Sequence, residues 1–225
     1  MNRYVVIVAG GEGKRMQSGL PKQFIPIGDK PILMHTMTAF SEAFRDIQMV
    51  VVLPEKHIRL WKDLCTEFAC SLRHSIAVGG DTRFQSVRNG LKLISGDGII
   101  GVHDGVRPFA GRQTIHTAYQ TAAEHGAAIP VVLLNDSLRH VSNGEAKPVN
   151  RSDFRLVQTP QCFRADVIKE AYLQKEQPHF TDDATVVEAA GHRIVLTEGN
   201  YENIKITRSA DLAYAEVLTK RRFML

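Results

Sequence analysis

The sequence has few cysteines and no pattern of residues typical of a metal site. It contains three cysteines, Cys65, Cys70 and Cys162, which cannot all form disulfide bonds with one another. An odd and small number of cysteines is typical of proteins kept reduced, so we expect free thiols and a cytoplasmic location. No group of Cys and His has metal-ligand spacing, so we expect no metal ligands among the side chains.

The sequence also lacks a long hydrophobic run and a strong excess of one charge. Its first apolar run, residues 4–9, is too short for a signal peptide or a membrane-spanning helix. Lys and Arg number 28 against 24 Asp and Glu, a net charge of +4. These cations are scattered, apart from residues 220–222, whereas nucleic-acid binders concentrate them in a stripe. We therefore expect an anionic small-molecule ligand, with no nucleic acid and no membrane.

Short β-branched runs alternate with amphipathic helical patterns along the chain. The alternation predicts a single α/β domain over residues 1–225, with a Rossmann-like, mostly parallel sheet flanked by helices. Apolar spacing predicts helices across residues 61–68 and 115–122, and a last helix capped by Ser209 with Asp211 in its first turn. The predicted strands are Tyr4–Ala9, Met49–Leu53, Ser75–Val78, Gly98–His103, Ala127–Leu134, Ile194–Leu196 and Ile204–Ile206.

Residues 136–151 interrupt this alternation. Asn143-Gly144 lies between two extended arms, which is a strong hairpin signal, and Pro148 restricts the returning arm to an edge strand. The hairpin has few apolar residues, and an isolated two-stranded hairpin is marginally stable. We therefore predict a protruding dimerisation arm that packs on a second subunit. Packing of the hairpin on its own sheet is the alternative.

A glycine-rich loop follows the first predicted strand. Three glycines within residues 10–13 allow backbone N–H groups to approach a ligand closely, and phosphates are the natural ligands of such a loop. A Walker A motif is excluded because Lys14 precedes Arg15, and the dinucleotide fingerprint lacks its third glycine. Arg15 and Lys22 supply charges that neutralise a triphosphate. A tight strand-to-helix turn with surface cations is the alternative interpretation.

Two further loops place polar residues after predicted strands. Residues 79–86 follow the third strand, and residues 103–107 follow the fourth. In open α/β sheets, ligands bind outside the carboxyl ends of the strands. We therefore expect these loops and the glycine-rich loop to converge on one crevice. For Asp104 and Arg107, a simple surface ion pair is the alternative.

A series of short motifs occurs in the order and spacing of one known family. These motifs are Ala9-Gly-Gly11 with Arg15-Met16, Pro21-Lys-Gln-Phe24, Gly79-Gly-Asp81 with Arg83 and Ser86, His103-Asp104 with Arg107-Pro108, Gln158-Thr-Pro-Gln161, Thr181-Asp-Asp-Ala184 and Asn203-Ile-Lys-Ile206. They cover essentially the whole chain, and their ordered set is specific. The chain resembles the 2-C-methyl-D-erythritol 4-phosphate cytidylyltransferases, which use CTP in the non-mevalonate isoprenoid pathway.

The resemblance implies cytidylyl transfer from CTP to a small polyol phosphate in a homodimer, with Mg²⁺ held mainly by the nucleotide phosphates. It implies that Arg15 and Lys22 hold the triphosphate and stabilise the transition state. The implied nucleotide-binding residues are Ala9, Gly10, Gly11, Gly80, Asp81, Ser86 and Asp104. The implied substrate-binding residues are Arg107, Ser137, Arg151, Thr159, Thr181 and Lys205. Of these, Ser137 and Arg151 would reach the substrate of the neighbouring subunit.

Three departures from the family pattern affect neutral residues. Gly10 stands where many members have a second alanine, Gly105-Val106 replaces Ala-Ala, and Ser137 replaces threonine. The first should be harmless because the backbone makes the contact, whereas the second could alter packing against the ribose. The third keeps the hydroxyl and loses a methyl group, which bears on the identity of the substrate.

Other functions remain open at this stage. A ribitol-5-phosphate cytidylyltransferase shares the nucleotide motifs, although residues 181–185 and the approach from Arg151 to Gln158 look more like the methylerythritol enzyme. A sugar-1-phosphate nucleotidyltransferase shares the Ala-Gly-Gly opening but should lack the motifs at Arg107 and Thr181. A non-catalytic nucleotide-binding regulator is a further alternative, but it would have no need of transition-state cations.

Overall fold

The computed structural model describes residues 1–11 and 19–222 of the chain. None of the helices within these residues is long and apolar enough to cross a membrane. The strands are β1 Arg3–Val8, β2 Pro26–Ile27, β3 Lys30–Pro31, β4 Gln48–Leu53, β5 Ser75–Val78, β6 Ile99–Asp104, β7 Ala127–Val132, β8 Leu138–Ser142, β9 Glu145–Val149, β10 Leu156–Val157, β11 Gln161–Arg164 and β12 Val195–Glu198. The helices are α1 Ile32–Ala43, α2 Glu55–Glu67, α3 Arg83–Leu91, α4 Arg112–His125, α5 Ala165–Ala171, α6 Asp183–Ala189 and α7 Ser209–Arg222.

The main sheet has eight strands in the order β10-β7-β11-β6-β1-β4-β5, with β12 paired to β7. Strands β6, β1, β4 and β5 run parallel, as does the β12–β7 pair. Val8 pairs with both Asp104 and Val52, and Leu53 pairs with Val78. The carboxyl ends of β6, β1, β4 and β5 therefore lie side by side. The predicted α/β fold with a mostly parallel sheet is confirmed.

The parallel strands are buried on both faces. On β1, Val5 and Ile7 pack in one core with α1, α2 and α4, whereas Val6 packs in a second core with α3, α5 and α6. Strands covered on both sides need apolar residues at successive positions rather than at alternate ones. This explains why the strand sequences read as short continuous apolar runs.

Strand β11 was not predicted, and it makes the sheet mixed. Its four residues pair antiparallel with β6 on one side, and Cys162 and Phe163 also pair antiparallel with β7 on the other. The segment follows Pro160 and contains Gln161 and Arg164, so its composition does not distinguish it from a loop. Tertiary pairing between two strands that are already formed supplies the order that the local sequence lacks.

Residues 204–206 do not form the predicted strand. The segment makes no ladder of hydrogen bonds with a strand that the structure describes, and its apolar side chains pack in a small core instead. Its backbone makes one hydrogen bond to the neighbouring loop, from the Ile206 N–H to the Val106 carbonyl at 3.0 Å. Ile206 is fully buried in a small core with Val106 and Ala215. Burial of the isoleucine accounts for the apolar pattern that suggested a strand.

The start of the last helix also differs from the prediction. Helix α7 begins at Ser209 itself, rather than after it. The carboxylate of Asp211 accepts the backbone N–H groups of Thr207 and Arg208 at 2.7 and 2.8 Å. Asp211 lies in the first turn as predicted. A carboxylate at this position also complements the partial positive charge of the helix end.

The predicted hairpin is confirmed. Strands β8 and β9 form a separate two-stranded sheet in which Ser142 pairs with Glu145. Asn143 and Gly144 both have positive φ values, 51° and 82°. Two such residues are typical of the tight turns that match strand twist. Within the described residues the hairpin pairs with no strand of the main sheet, and Val141 is 67% exposed. Packing of the hairpin on its own sheet is therefore wrong.

Gly90→Ala should destabilise the fold although alanine is the better helix former. Gly90 lies in α3, and a β-carbon there would be 2.6 Å from Val6 Cγ1 and 2.9 Å from Val52 Cγ2. Overpacking of this kind costs about 1–3 kcal/mol. Urea unfolding should show this loss, and Val6→Ala, which removes one of the clashing methyl groups, should cost less stability in the Gly90→Ala background than in the wild type. Equal stability of Gly90→Ala and the wild type would contradict the prediction.

Candidate active site

A cavity of about 310 Å³ opens at the carboxyl ends of β1, β5 and β6. It lies at the edge of the sheet where the three loops were expected to converge. The predicted site residues that line it are Ala9, Gly10, Gly11, Lys22, Gly80, Asp81, Ser86, Asp104 and Lys205. The expected convergence of the three loops is confirmed.

The loop after β1 forms one wall of the cavity. Arg15 lies outside the described residues. The fully buried Gln23 donates from Nε2 to the Ala9 carbonyl at 2.7 Å and so holds the start of the loop. A β-carbon on Gly11 would lie 3.0 Å from Lys22 Cε, so the lysine passes directly over the glycine backbone. The backbone of Gly10 and Gly11 and the Lys22 cation thus share one wall, a combination typical of anion-binding loops, whereas the Ala9 N–H donates to the Val52 carbonyl at 2.9 Å.

The glycine departures are compatible with this wall. Among residues 1–11 and 19–222, no heavy atom would lie within 4 Å of a β-carbon on Gly10, so these residues leave room for alanine there. Gly105 is different, because its β-carbon would lie 2.9 Å from the β-carbon of Ala9. The glycine at 105 therefore allows close packing of the loop after β6 against the loop after β1.

Helix α3 holds the opposite wall through its N-terminal residues. Thr82 caps the helix by accepting the Gln85 N–H at 3.1 Å. The N–H of Gly80 donates to Ser86 Oγ, and that of Asp81 donates to Gln85 Oε1, both at 3.1 Å. Residues 80–86 are therefore fixed by their own helix, and the carboxylate of Asp81 stays exposed.

Asp104 is the charged centre of the site. Its Oδ2 lies 3.1 Å from Arg107 Nε and 3.0 Å from Lys205 Nζ. Burial alone would raise the pKa of Asp104, but the positive charges of Lys205, Arg83 and Arg107 hold that pKa well below its usual range. Asp104 is thus ionised at neutral pH. The Asp104 and Arg107 side chains are only 11% and 12% exposed, so the surface-pair interpretation is wrong.

Thr159 and Arg107 also stabilise the backbone around Asp104. The Thr159 hydroxyl accepts the Asp104 N–H at 3.2 Å, and Thr159 is 5% exposed. Arg107 Nη1 donates to the Asn203 carbonyl at 2.8 Å. These bonds join three segments that are distant in sequence. Sequence reasoning assigned no role to Asn203, although it lies in one of the recognised motifs.

Arg83, the first residue of α3, lines the cavity and connects α3 to α6. Sequence reasoning missed this role. The two terminal nitrogens of Arg83 bind both carboxylate oxygens of Asp183 at 2.9 and 2.6 Å. Asp183 is fully buried and also accepts the Tyr172 hydroxyl at 2.6 Å. A bidentate pair of this kind fixes both side chains. The motifs around residues 79–86 and 181–184 were the signal for this contact.

Five predicted residues do not line the cavity. Two of them, Arg107 and Thr159, are the partners of Asp104 described above. Thr181 is exposed and immediately precedes Asp182, the N-cap of α6. Ser137 and Arg151 are exposed at the two ends of the hairpin, where the Arg151 guanidinium donates to the Asn135 carbonyl. Within one subunit, the hairpin residues are thus separate from the cavity.

The cavity offers few ligands for a metal ion. Among the lining residues that the structure describes, only Asp81 and Asp104 carry carboxylates. Residues 1–11 and 19–222 contain no group of three or more His, Cys, Asp or Glu that could hold a metal ion. Mg²⁺ keeps several waters and binds through one or two carboxylates plus substrate phosphates. The donor set therefore fits a Mg²⁺ ion that arrives with a nucleotide.

Comparisons with known proteins agree with this geometry. A family model described as 2-C-methyl-D-erythritol 4-phosphate cytidylyltransferase matches residues 4–221. The protein of that name from Phocaeicola vulgatus is 50% identical over 218 residues, which is 97% of this chain and 100% of the relative. The solved structure of that name from Thermus thermophilus is 32% identical with a TM-score of 0.79, covering 98% of this chain and 100% of that one. The Francisella tularensis structure is 28% identical with a TM-score of 0.76, covering 96% and 99%.

Lowering the pH from 7 to 4 should destabilise the fold through His103. Burial lowers the pKa of His103 from 6.5 to about 4, so between these values the unfolded chain binds more protons than the folded one. The free energy of unfolding therefore rises with pH in this window, and a shift of this size corresponds to about 3 kcal/mol. Urea unfolding of the wild type and His103→Gln at pH 7, 5.5 and 4 measures it. Equal pH dependence in the two proteins would show that His103 does not cause the loss.

Proposed function

The chain belongs to the 2-C-methyl-D-erythritol 4-phosphate cytidylyltransferase family, and from that premise we propose how its residues perform the reaction. The enzyme transfers the cytidylyl group of CTP to 2-C-methyl-D-erythritol 4-phosphate and releases pyrophosphate, a step of the non-mevalonate isoprenoid pathway. The observation that carries the site assignment is the position of Asp104. It lies in the cavity beside the glycine-rich loop and binds two cations suited to a phosphorylated substrate.

CTP is proposed to bind along the two walls of the cavity. The backbone of Ala9, Gly10 and Gly11 would hold the triphosphate, with Lys22 and Arg15 neutralising its charge. Gly80, Asp81 and Ser86 would read the cytosine. The hydrogen bonds from α3 keep these base-reading groups in place before the nucleotide arrives.

Methylerythritol phosphate is proposed to bind on the other side of Asp104. Arg107, Lys205 and Thr181 would surround it, and Asp104 would lie between the ribose and the substrate. Thr159 is buried, so its contribution would come mainly from holding the Asp104 backbone. Lys205 is the most accessible of the cations around Asp104, with a side chain that is 44% exposed. It is therefore suited to turn from the carboxylate towards a phosphate.

The reaction requires no general base. A phosphate monoester is largely dianionic at neutral pH, so its oxygen can attack the α-phosphorus of CTP directly. The attack accumulates negative charge as pyrophosphate leaves, and positioned cations stabilise that charge. Lys22 and Arg15 are proposed to do this. Mg²⁺, held mainly by the nucleotide phosphates, supplies further charge stabilisation when bound.

A homodimer is proposed to complete the site. The hairpin has little apolar material of its own, and apolar side chains remain exposed on or next to strands β7, β10 and β12. These side chains are Leu133, Phe154, Leu156, Val157 and Leu196, each at least 43% exposed. A second subunit packed here would cover them. Ser137 and Arg151 would then reach the phosphate of the substrate in the partner's cavity, where arginine can bind it through two hydrogen bonds.

We propose a cytoplasmic location because the cysteines are not paired in disulfide bonds. Cys65, Cys70 and Cys162 are all free thiols. Burial raises the pKa of Cys65 to about 12 and that of Cys162 above its ordinary value, so neither is poised to react. Unreactive free thiols are typical of proteins kept in a reducing compartment.

The substrate assignment predicts a specific pattern of pyrophosphate release. Purified protein with Mg²⁺ should release pyrophosphate from CTP and methylerythritol phosphate, and far more slowly from ATP, GTP or UTP. Ribitol 5-phosphate should be a poor acceptor. Turnover with ribitol phosphate alone would favour the ribitol enzyme, and binding of CTP without turnover of any acceptor would favour a regulator. Equal use of all four nucleotides would contradict the roles of Asp81 and Ser86.

Subunit mixing tests the shared site. Lys22→Ala and Arg151→Ala homodimers should each be nearly inactive. A mixed dimer combines an intact Lys22 from one chain with an intact Arg151 from the other, which restores one of its two sites. Random exchange makes about half of the dimers mixed, so about a quarter of wild-type activity should return.

The control for this experiment is Arg139→Ala, which removes an exposed arginine of the same arm. It should keep wild-type activity, because no role at the phosphate is assigned to it. Exchange of subunits can be followed with two differently sized tags. If exchange is complete and activity stays absent, Arg151 does not act across the dimer.

A further inference from the structure

His103 is a buried polar residue that the reaction above does not use. It lies on β6 immediately before Asp104, and its side chain is fully buried. One side of its ring packs edge-on against Phe40, with 4.9 Å between the ring centroids. Both ring nitrogens nevertheless have polar partners. A buried imidazole with both nitrogens bonded constrains whatever those partners belong to.

The two partners determine which nitrogen carries the hydrogen. His103 Nε2 lies 3.0 Å from the Arg107 carbonyl oxygen. A carbonyl only accepts hydrogen bonds, so Nε2 carries the hydrogen. Burial keeps the ring neutral by lowering its pKa, which leaves Nδ1 as an acceptor. Thr159 Oγ1, at 2.9 Å, therefore donates to Nδ1. The same hydroxyl accepts the Asp104 N–H at 3.2 Å.

These bonds close into a ring that joins three segments of the chain. The Thr159 carbonyl accepts from Asn203 Nδ2 at 2.8 Å. The Asn203 carbonyl in turn accepts from Arg107 Nη1, also at 2.8 Å. His103 then connects the Arg107 carbonyl back to Thr159. The ring thus includes or adjoins Asp104, Arg107, Thr159 and Lys205, the groups assigned to the polyol phosphate side of the site.

We propose that His103 is a positioning residue that holds Asp104 and Arg107 in place for the polyol phosphate. Its Nε2–H donates to the Arg107 carbonyl, and its Nδ1 accepts from the Thr159 hydroxyl, which in turn accepts the Asp104 N–H. The proposal rests on the site assignment proposed above. The opposite tautomer would place the Nε2 lone pair against the Arg107 carbonyl and leave two acceptors facing each other. Only the Nε2–H form satisfies both ring nitrogens of His103 together with the Arg107 carbonyl and the Thr159 hydroxyl.

The chain of bonds serves one half of the active site. The nucleotide half is fixed separately by α3, through the cap at Thr82 and the bonds from Gln85 and Ser86. Breaking the His103–Thr159 bond should therefore affect CTP binding less than it affects the polyol phosphate, because Asp104 is the only nucleotide-binding residue that the ring contacts. It should instead misplace Asp104 and Arg107, and a displacement of about 1 Å can cost about 10²-fold in rate.

A double-mutant cycle tests this with His103→Phe and Thr159→Val, since each single substitution removes the same hydrogen bond. Each should lower kcat/KM for methylerythritol phosphate by about 10²-fold, with a much smaller change in the KM for CTP. The double variant should be no worse than the more severe single one. Thr159→Ser keeps the hydroxyl and should restore most of the activity. Thr219→Val, a buried threonine of α7 outside the ring, controls for loss of a buried hydroxyl.

Additive effects in the cycle would overturn the proposal, because they would mean that Thr159 acts on the substrate independently of His103. Unchanged kcat/KM in folded His103→Phe would overturn it as well. Wild-type turnover of methylerythritol phosphate, measured in parallel, separates this outcome from a failure of the proposed function.

A spectroscopic measurement tests the proposal on the wild type, without reliance on any variant. Nitrogen-15 NMR of histidine-labelled protein should show His103 with a protonated Nε2 and an unprotonated Nδ1 at pH 7 and at pH 5.5. Addition of CTP should leave this pattern unchanged. A hydrogen on Nδ1, or a charged ring at pH 7, would overturn the proposal.

Discussion

The rest of the site depends on the ion pairs that the ionised carboxylate of Asp104 makes with Arg107 and Lys205. A buried charge is costly unless it is paired and hydrogen-bonded. Asp104 meets this requirement through Arg107 and Lys205, which come from two segments about one hundred residues apart in the chain. Folding can bury the carboxylate only if residues 103–107 and 203–205 come together. The ion pairs that stabilise Asp104 at the end of β6 therefore also bring together the cations that are proposed to bind a phosphorylated substrate.

In the proposed mechanism the site has two halves, one for the nucleotide and one for the polyol phosphate, and they are held in place by different physical means. The nucleotide half relies on local structure, since residues 80–86 are held by the helix that they begin and the loop after β1 is held by Gln23. The substrate half relies on hydrogen bonds between segments distant in sequence. The Arg83–Asp183 pair connects the two halves through α6. Groups positioned in advance stabilise developing charge without rearrangement during the reaction, which suits a transfer that needs no general base.

The hairpin arm connects a local backbone preference, that of its turn residues, with the proposed assembly of two subunits. Asn143 and Gly144 adopt the positive φ values that a tight hairpin turn requires, so the arm forms from local sequence alone. Its side chains are largely exposed, and exposed apolar residues remain on strands β10 and β12, such as Leu156 and Leu196. Arg151, at the base of the arm, is exposed and does not line the cavity of its own chain. The same feature that isolates the arm makes it suitable for a partner subunit.

The sequence by itself determined the fold class, the parallel strands, the hairpin and most residues of the cavity. It could do so because strand and turn preferences are local, and because carboxyl ends of parallel strands meet at one edge of a sheet. Only the tertiary structure decided that Gln161–Arg164 is a strand and Ile204–Ile206 is not. It alone revealed the contacts of His103 with Thr159 and of Arg83 with Asp183, which join residues 56 and 100 positions apart. Such contacts depend on which segments pack together, and no local pattern of residues specifies that.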